Sequence, residues 1–188
     1  MNLSLWLPVG IIAIVALWVI ASYNKLVSLK NQALNGWKQI DVQLKRRHDL
    51  IPNLVETVKG AMKFEQTTLT QVIEARNRAI AAQGVAAKAA EENALSGALR
   101  QLFALSENYP TLKSNENVAK LQEELSSTEN RIGFARQFYN DIATQLNIAE
   151  QSFPLNIISG IFGFKQAELF EISDPGEREV PKVDLNLK

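Results

Sequence analysis

The 188-residue chain contains no cysteine, one histidine, nine glycines and six prolines, and its formal charges cancel. Without cysteine there is no disulfide, no Cys-based zinc site and no thiol nucleophile. With His48 alone, a carboxylate-bridged di-metal bundle is also excluded. That chemistry needs Glu-x-x-His pairs, and the residue three before His48 is Lys45. Ser-His-Asp catalysis would have to pass through His48, and no strand-turn-helix elbow surrounds any serine. Glycine-rich phosphate loops are missing. A net charge of zero supplies no global basic field for nucleic acid. No catalytic, cofactor-binding or metal-ligating residue is assigned, no cofactor is expected, and the chain is read as a non-enzyme.

Runs of β-branched residues bounded by turn signals are also lacking between residues 24 and 150, while Ala, Leu, Gln, Glu and Lys are plentiful. These are helix formers, and an all-α fold follows. Residues 1–24, MNLSLWLPVGIIAIVALWVIASYN, carry no charged side chain; the first is Lys25. Roughly 20 apolar residues make a helix of about 30 Å, enough to cross a bilayer core. Trp6 near one end and Trp18 and Tyr23 near the other suit interfacial anchoring. A cleaved signal peptide is the rival reading, with Val19-Ile20-Ala21 as its cleavage site, but only the terminal amine supplies a positive front. A buried core helix fits less well, because the segment is apolar all round. The span is followed by Lys25 and Lys30 and preceded by no basic side chain. The positive-inside rule then predicts the N-terminus outside and the main domain in the cytoplasm.

Beyond the span the helical pattern continues through Leu26, Ala33, Trp37, Ile40 and Leu44, with Gly36 a weak spot but no stop. The stretch Trp37–Glu56 is the centre of the chain. Its apolar stripe is interrupted at Arg47, within the basic run Lys45-Arg46-Arg47-His48, and Pro52 predicts a turn or hinge. Lys45 lies twenty residues beyond Lys25, about 30 Å along a straight helix, too far for a lipid anchor of its own chain. Further helices are expected after Pro52 (Leu54, Val58, Leu69, Val72), ending near Gly84, and around Leu95–Leu105, ending at Asn108-Tyr109-Pro110. A long helix capped by Ser114 should carry Val118, Leu125, Ile132, Tyr139 and Leu146 and stop near Phe153-Pro154.

His48, beside three cations, reads as a partly solvated surface residue rather than a ligand or base. Asp41, Arg47, Asp49, Asn53, Glu107, Glu129, Asn130, Arg136 and Asn140 lie within or beside apolar stripes. They read as a buried or half-buried network that sets helix register, with Asp49 or Glu129 paired to an arginine. A small-ligand or partner site between helices is the alternative. The C-terminal segment Pro154–Phe170 is rich in Ile, Phe and Gly, and the tail alternates Val183, Leu185 and Leu187 after Asp174-Pro175-Gly176. It is either an apolar strap over the bundle or an exposed surface for self-association or membrane contact.

Several stretches together resemble the LemA family of bacterial membrane proteins. They are Tyr23–Val27, Trp37–Glu56, Ala75-Arg76, Glu107–Lys113, Leu121–Leu125 with Thr128–Ile132, Ala135-Arg136, Tyr139-Asn140 and Phe153-Pro154. The resemblance implies a short N-terminus outside the cell, one span and a helical domain inside, and it carries no assigned reaction. Some relatives in that family are linked to organising internal membranes.

The expected architecture is all-α: a transmembrane helix (1–24), an elongated antiparallel four-helix bundle (25–153), and a C-terminal apolar strap with extended tail (154–188). The expected function is a non-catalytic scaffold or assembly protein of the bacterial plasma membrane. Its partners are membrane lipid through the span and other copies of itself, with no nucleic acid. The alternative is an accessory adaptor for another membrane protein, such as a protease or transporter.

Overall fold

The structure is a computed structural model and describes residues 3–62 and 65–171, with side chains from Trp6 onward. The expected Asp174-Pro175-Gly176 turn and the alternating tail lie outside the described residues. Among the described residues there are six helices and no strand, in agreement with the all-α expectation. They are α1 (Leu3–Lys59), α2 (Gln66–Ala81), α3 (Val85–Ser106), α4 (Pro110–Lys113), α5 (Glu116–Gln151) and α6 (Leu155–Phe162). The described residues form two compact units, one of residues 3–44 with 130–169, the other of residues 45–129 with 170 and 171.

Residues 3–44 of the first unit belong to α1, which runs unbroken as expected from the apolar segment into the folded region. From Trp6 to Trp18 every side chain is exposed; burial begins at Val19 and Ser22. There α1 pairs antiparallel with the second half of α5, Leu26 and Leu29 packing with Leu146 and Ala149 while Trp37 lies 5.5 Å from the Tyr139 ring. The helices approach closely at Gly36, where a Cβ would stand 3.3 Å from Tyr139 Cα and from the Phe138 ring. A side chain there would need Tyr139 or Phe138 to give way by a few tenths of an ångström.

α6 ends at Gly163, whose left-handed φ of 68° lets the Phe164 N–H bond back to Ser159 O at 3.1 Å. The chain that follows is strapped along α5. Asn147 donates to Ala167 O at 2.9 Å and accepts from Ala167 N at 2.8 Å, and the Tyr139 hydroxyl donates to Glu168 O at 2.6 Å. One amide side chain thus satisfies both backbone groups of Ala167, as a neighbouring strand would. The strap reading holds for this inner face.

In the second unit the end of α1, α2, α3 and the start of α5 enclose a core. Ile51, Leu54 and Val58 meet Leu69 and Val72, Leu95 and Leu102, and Val118 and Leu125. Three connections depart from the expected ones. Pro52 does not turn the chain: α1 continues to Lys59, and the turn comes at Gly60-Ala61, with Ala61 and Met62 N–H groups bonding to Val58 O. Proline in a helix interior removes one donor and frees the carbonyl four residues back. Here that carbonyl belongs to His48, and Arg76 Nε of α2 donates to it at 2.7 Å. The missing helical bond is replaced by a tertiary one.

The second departure is at the start of α5. Its cap is Asn115, whose Oδ1 accepts from the N–H groups of Asn117 and Val118 (2.9 and 3.4 Å), while the Ser114 hydroxyl closes α4 on Pro110 O. The third is Gly84, with φ of 83°, which precedes α3 rather than ending α2, and the Ala-rich stretch is helix from Val85.

Two outcomes follow. Arg76→Ala should lower stability by about 1–3 kcal/mol, because it orphans the His48 carbonyl. In a Pro52→Ala background the restored N–H should shrink that loss, so a double-mutant cycle by denaturant melts reads at least about 0.5 kcal/mol of coupling. Glu150 is buried against α1, its Oε1 lacks a hydrogen-bond partner, and burial raises its pKa although Lys30 pulls it down. A raised carboxyl pKa means the folded state holds its proton more tightly than the unfolded chain. This contribution to stability is therefore complete at low pH and lost as pH rises through the carboxylate range. Glu150→Gln should melt no lower than the parent at pH 7, with the parent regaining ground as pH falls towards about 4.

Candidate functional site

The strongest concentration of polar chemistry lies inside the second unit. Arg47, at the interruption of the α1 stripe, is 2% exposed, and its guanidinium reaches three partners. Nη1 lies 3.4 Å from Glu92 Oε2 and 3.0 Å from Glu129 Oε2, and Nη2 donates to Ser96 Oγ at 2.8 Å. Ser96 Oγ in turn donates to Glu129 Oε1 at 3.3 Å. The other Glu92 oxygen takes a 2.7 Å hydrogen bond from His48 Nε2. Glu92 is wholly buried and His48 nearly so. With the Arg76 bond to the His48 carbonyl, this junction ties together α1 (Arg47, His48), α2 (Arg76), α3 (Glu92, Ser96) and α5 (Glu129).

The helical period explains the convergence. Arg47 stands seven residues after Ile40 and four before Ile51, on the face that α1 turns to the core. Glu92 occupies the buried α3 stripe between Ala89 and Leu95. A charge forced inward by its position must be answered there, because an uncompensated buried ion is strongly destabilising.

Of the residues expected to form a network, Arg47 and Glu129 come together as ion partners. Asp49, Asn53 and Asn130 are exposed and lie outside this junction, and Glu107 makes an exposed pair with Lys113 at 3.5 Å. His48 corrects the surface assignment: it is buried, and its ring is engaged by Glu92. Three consecutive cations suggested solvent, yet the helix sends Arg46 outward to an exposed pair with Glu124 at 2.6 Å and carries its two successors inward. Glu92 escaped the sequence reading because it sits in an Ala-rich stretch with a weak stripe. The available signal was its spacing from Leu95, Leu99 and Leu102.

Chemically the junction is a set of mutually satisfied charges. The Glu92–His48 pair has the composition of an acid–base dyad, but both carboxylate oxygens and the facing imidazole nitrogen are engaged within the protein. Two grooves lie elsewhere. One of about 740 Å³ runs between the end of α1 and α2, lined by Val55, Met62, Leu69 and Ile73 among others. The other, of about 760 Å³, lies between α1 and α5 in the first unit, lined by Lys38, Val42, Arg131, Phe134 and Phe138. Phe134 is 73% and Val42 64% exposed. Phe134 and Phe138, one helical turn apart on α5 and off its buried stripe, were not singled out from sequence.

With this geometry in view, comparison with known proteins places the chain. The LemA family profile matches residues 36–185. The chain belongs to the LemA family. The match begins at Gly36 and takes in the helices of the junction, the groove and the C-terminal strap. Relatives of this LemA-family chain include Magnetosome protein MamQ of Magnetospirillum gryphiswaldense, 23% identical over 94% of this chain and 75% of that protein. Magnetosome protein MamQ 2 of Paramagnetospirillum magneticum is 24% identical over 84% and 68% of the two chains. Protein LemA of Metamycoplasma hominis is 24% identical over 87% and 73%. The N-terminal helix of the present chain is long and apolar enough to cross a membrane.

The junction makes a sharp contrast between neighbours. Glu92→Gln should destabilise the protein by about 3 kcal/mol or more, because Arg47 loses a buried counter-charge. Arg46→Ala, breaking the exposed pair one residue away, should change stability by less than about 1 kcal/mol. Denaturant titrations followed by circular dichroism measure both.

Proposed function

We propose that this LemA-family protein is a non-catalytic membrane scaffold that self-associates. It crosses the bacterial plasma membrane once, with its N-terminus outside and its helical units in the cytoplasm. The anchor reading rests on the bare apolar stretch of α1, where side chains from Trp6 to Trp18 are all exposed, followed by the cationic flank Lys25 and Lys30. The non-catalytic reading rests on the junction, whose titratable groups are spent on one another. The relatives named as magnetosome proteins carry no reaction in their names, which accords with this reading.

The observation that carries self-association is the face formed by Val42, Phe134 and Phe138. Large apolar side chains on adjacent helices stand out of the protein in the folded first unit, with Lys38 and Arg131 at the rim. Aromatic anchors with a cationic rim have the composition of interface centres. Self-association requires no further domain, since every copy brings the same face.

The full-length protein in mild detergent should run as a homo-oligomer by light scattering coupled to size exclusion. Phe134→Glu with Phe138→Glu should shift it towards the monomer while helicity and melting are retained. A monomeric parent protein would overturn self-association and leave the face to a different membrane protein, the adaptor reading.

A further inference from the structure

The short helix α6 has two faces. Leu155, Ile158 and Ser159 pack inward, joining Val19, Leu26 and Leu146. The outer face presents Ile157, Ile161 (70% exposed) and Phe162, with Phe153 exposed just ahead of the helix. From Gln151 to Phe164 the chain QSFPLNIISGIFGF carries no charge; it is bounded by Glu150 and Lys165. An apolar outer face on a charge-free segment is an unfavourable surface to give to water.

Its position on α1 identifies what covers it. The Phe162 ring lies 4.7 Å from the Tyr23 ring, and Phe164 lies 5.9 Å from it. The Lys30 ammonium stands 5.9 Å from the Phe164 ring centre. α6 is therefore docked where the bare apolar stretch of α1 ends and the first charges, Lys25 and Lys30, begin. A helix of about 20 residues fills the roughly 30 Å hydrocarbon core, so Tyr23 falls at the boundary between acyl chains and headgroups. We infer that α6 is an interfacial helix: its outer face of Ile157, Ile161 and Phe162, with Phe153, inserts into the acyl–headgroup boundary of the same bilayer that α1 crosses. Exposed Lys25, Lys30 and Lys165 then lie among the headgroups, where long cationic side chains keep their charge in a wet layer while their stems cover apolar surface. The chain thus holds the membrane at two places, one across it and one within a single leaflet.

This inference rests on the proposed anchoring by α1, and the test separates the two. The protein has no cysteine, so single-cysteine variants label uniquely with an environment-sensitive nitrobenzoxadiazole fluorophore. Full-length Ile157→Cys, Ile161→Cys, Ala13→Cys and Gln101→Cys are reconstituted at low protein density into phosphatidylethanolamine–phosphatidylglycerol vesicles. Ala13 samples the anchor, and Gln101, exposed on α3, samples water. Labels at 157 and 161 should emit towards the blue. They should be quenched several-fold more by acyl-brominated lipid than by iodide, as at 13 and opposite to 101. If 157 and 161 follow 101 while 13 remains lipid-quenched, α6 faces water and the inference fails with the anchor intact. Shielding of 157 and 161 from both quenchers would mean that a second copy covers them, and would equally overturn it. Iodide quenching at 13 would overturn the anchor reading and the interfacial helix together.

Discussion

A guanidinium sealed within a helical bundle has to be answered by charge and hydrogen bonds on more than one side. Arg47 is answered by Glu92 from α3, Glu129 from α5 and Ser96 beside them. An apolar core accepts many small rearrangements, because hydrophobic burial has no direction. A buried ion accepts few: displacing α3 by one turn would strand both Arg47 and Glu92. The aliphatic core supplies most of the cohesion of the second unit, and the junction selects the register in which that cohesion is realised. His48 strengthens the selection by holding the second Glu92 oxygen, so the carboxylate has no alternative orientation of equal energy.

Pro52 shows the same dependence from the backbone side. An interior proline would ordinarily kink or end a helix, and the sequence expectation placed a hinge there. The freed carbonyl is instead bound by Arg76 from the neighbouring helix. Proline and arginine make sense only together: the first withdraws a local hydrogen bond, the second restores it at long range. Continuity of α1 is thus partly a property of α2.

In the first unit a different economy applies. Gly36 permits backbone-close packing, Asn147 clasps the strap through both halves of its amide, and Tyr139 adds its hydroxyl to a strap carbonyl. These side chains fasten a segment with no regular partner, which is how backbone groups outside helices avoid burial without a bond. Glu150, which faces inward here, keeps one carboxylate oxygen without a hydrogen-bond partner.

The sequence by itself determined the helical class, the uncharged N-terminal stretch, the ends of α3 before Pro110 and of α5 before Pro154, and the inward position of Arg47. Each of these is written in local composition or in a period of 3.6 residues. The pairing of Glu129 with an arginine was also legible, because both lay beside apolar stripes. Only the tertiary structure decided that His48 is buried, that Glu92 is its partner, that α1 passes through Pro52, and that Phe134 and Phe138 stand outside. Local sequence states which residues share a helix face. It does not state which distant carboxylate, arginine or carbonyl will stand opposite that face, and for buried charge and freed backbone groups the opposing partner decides the outcome.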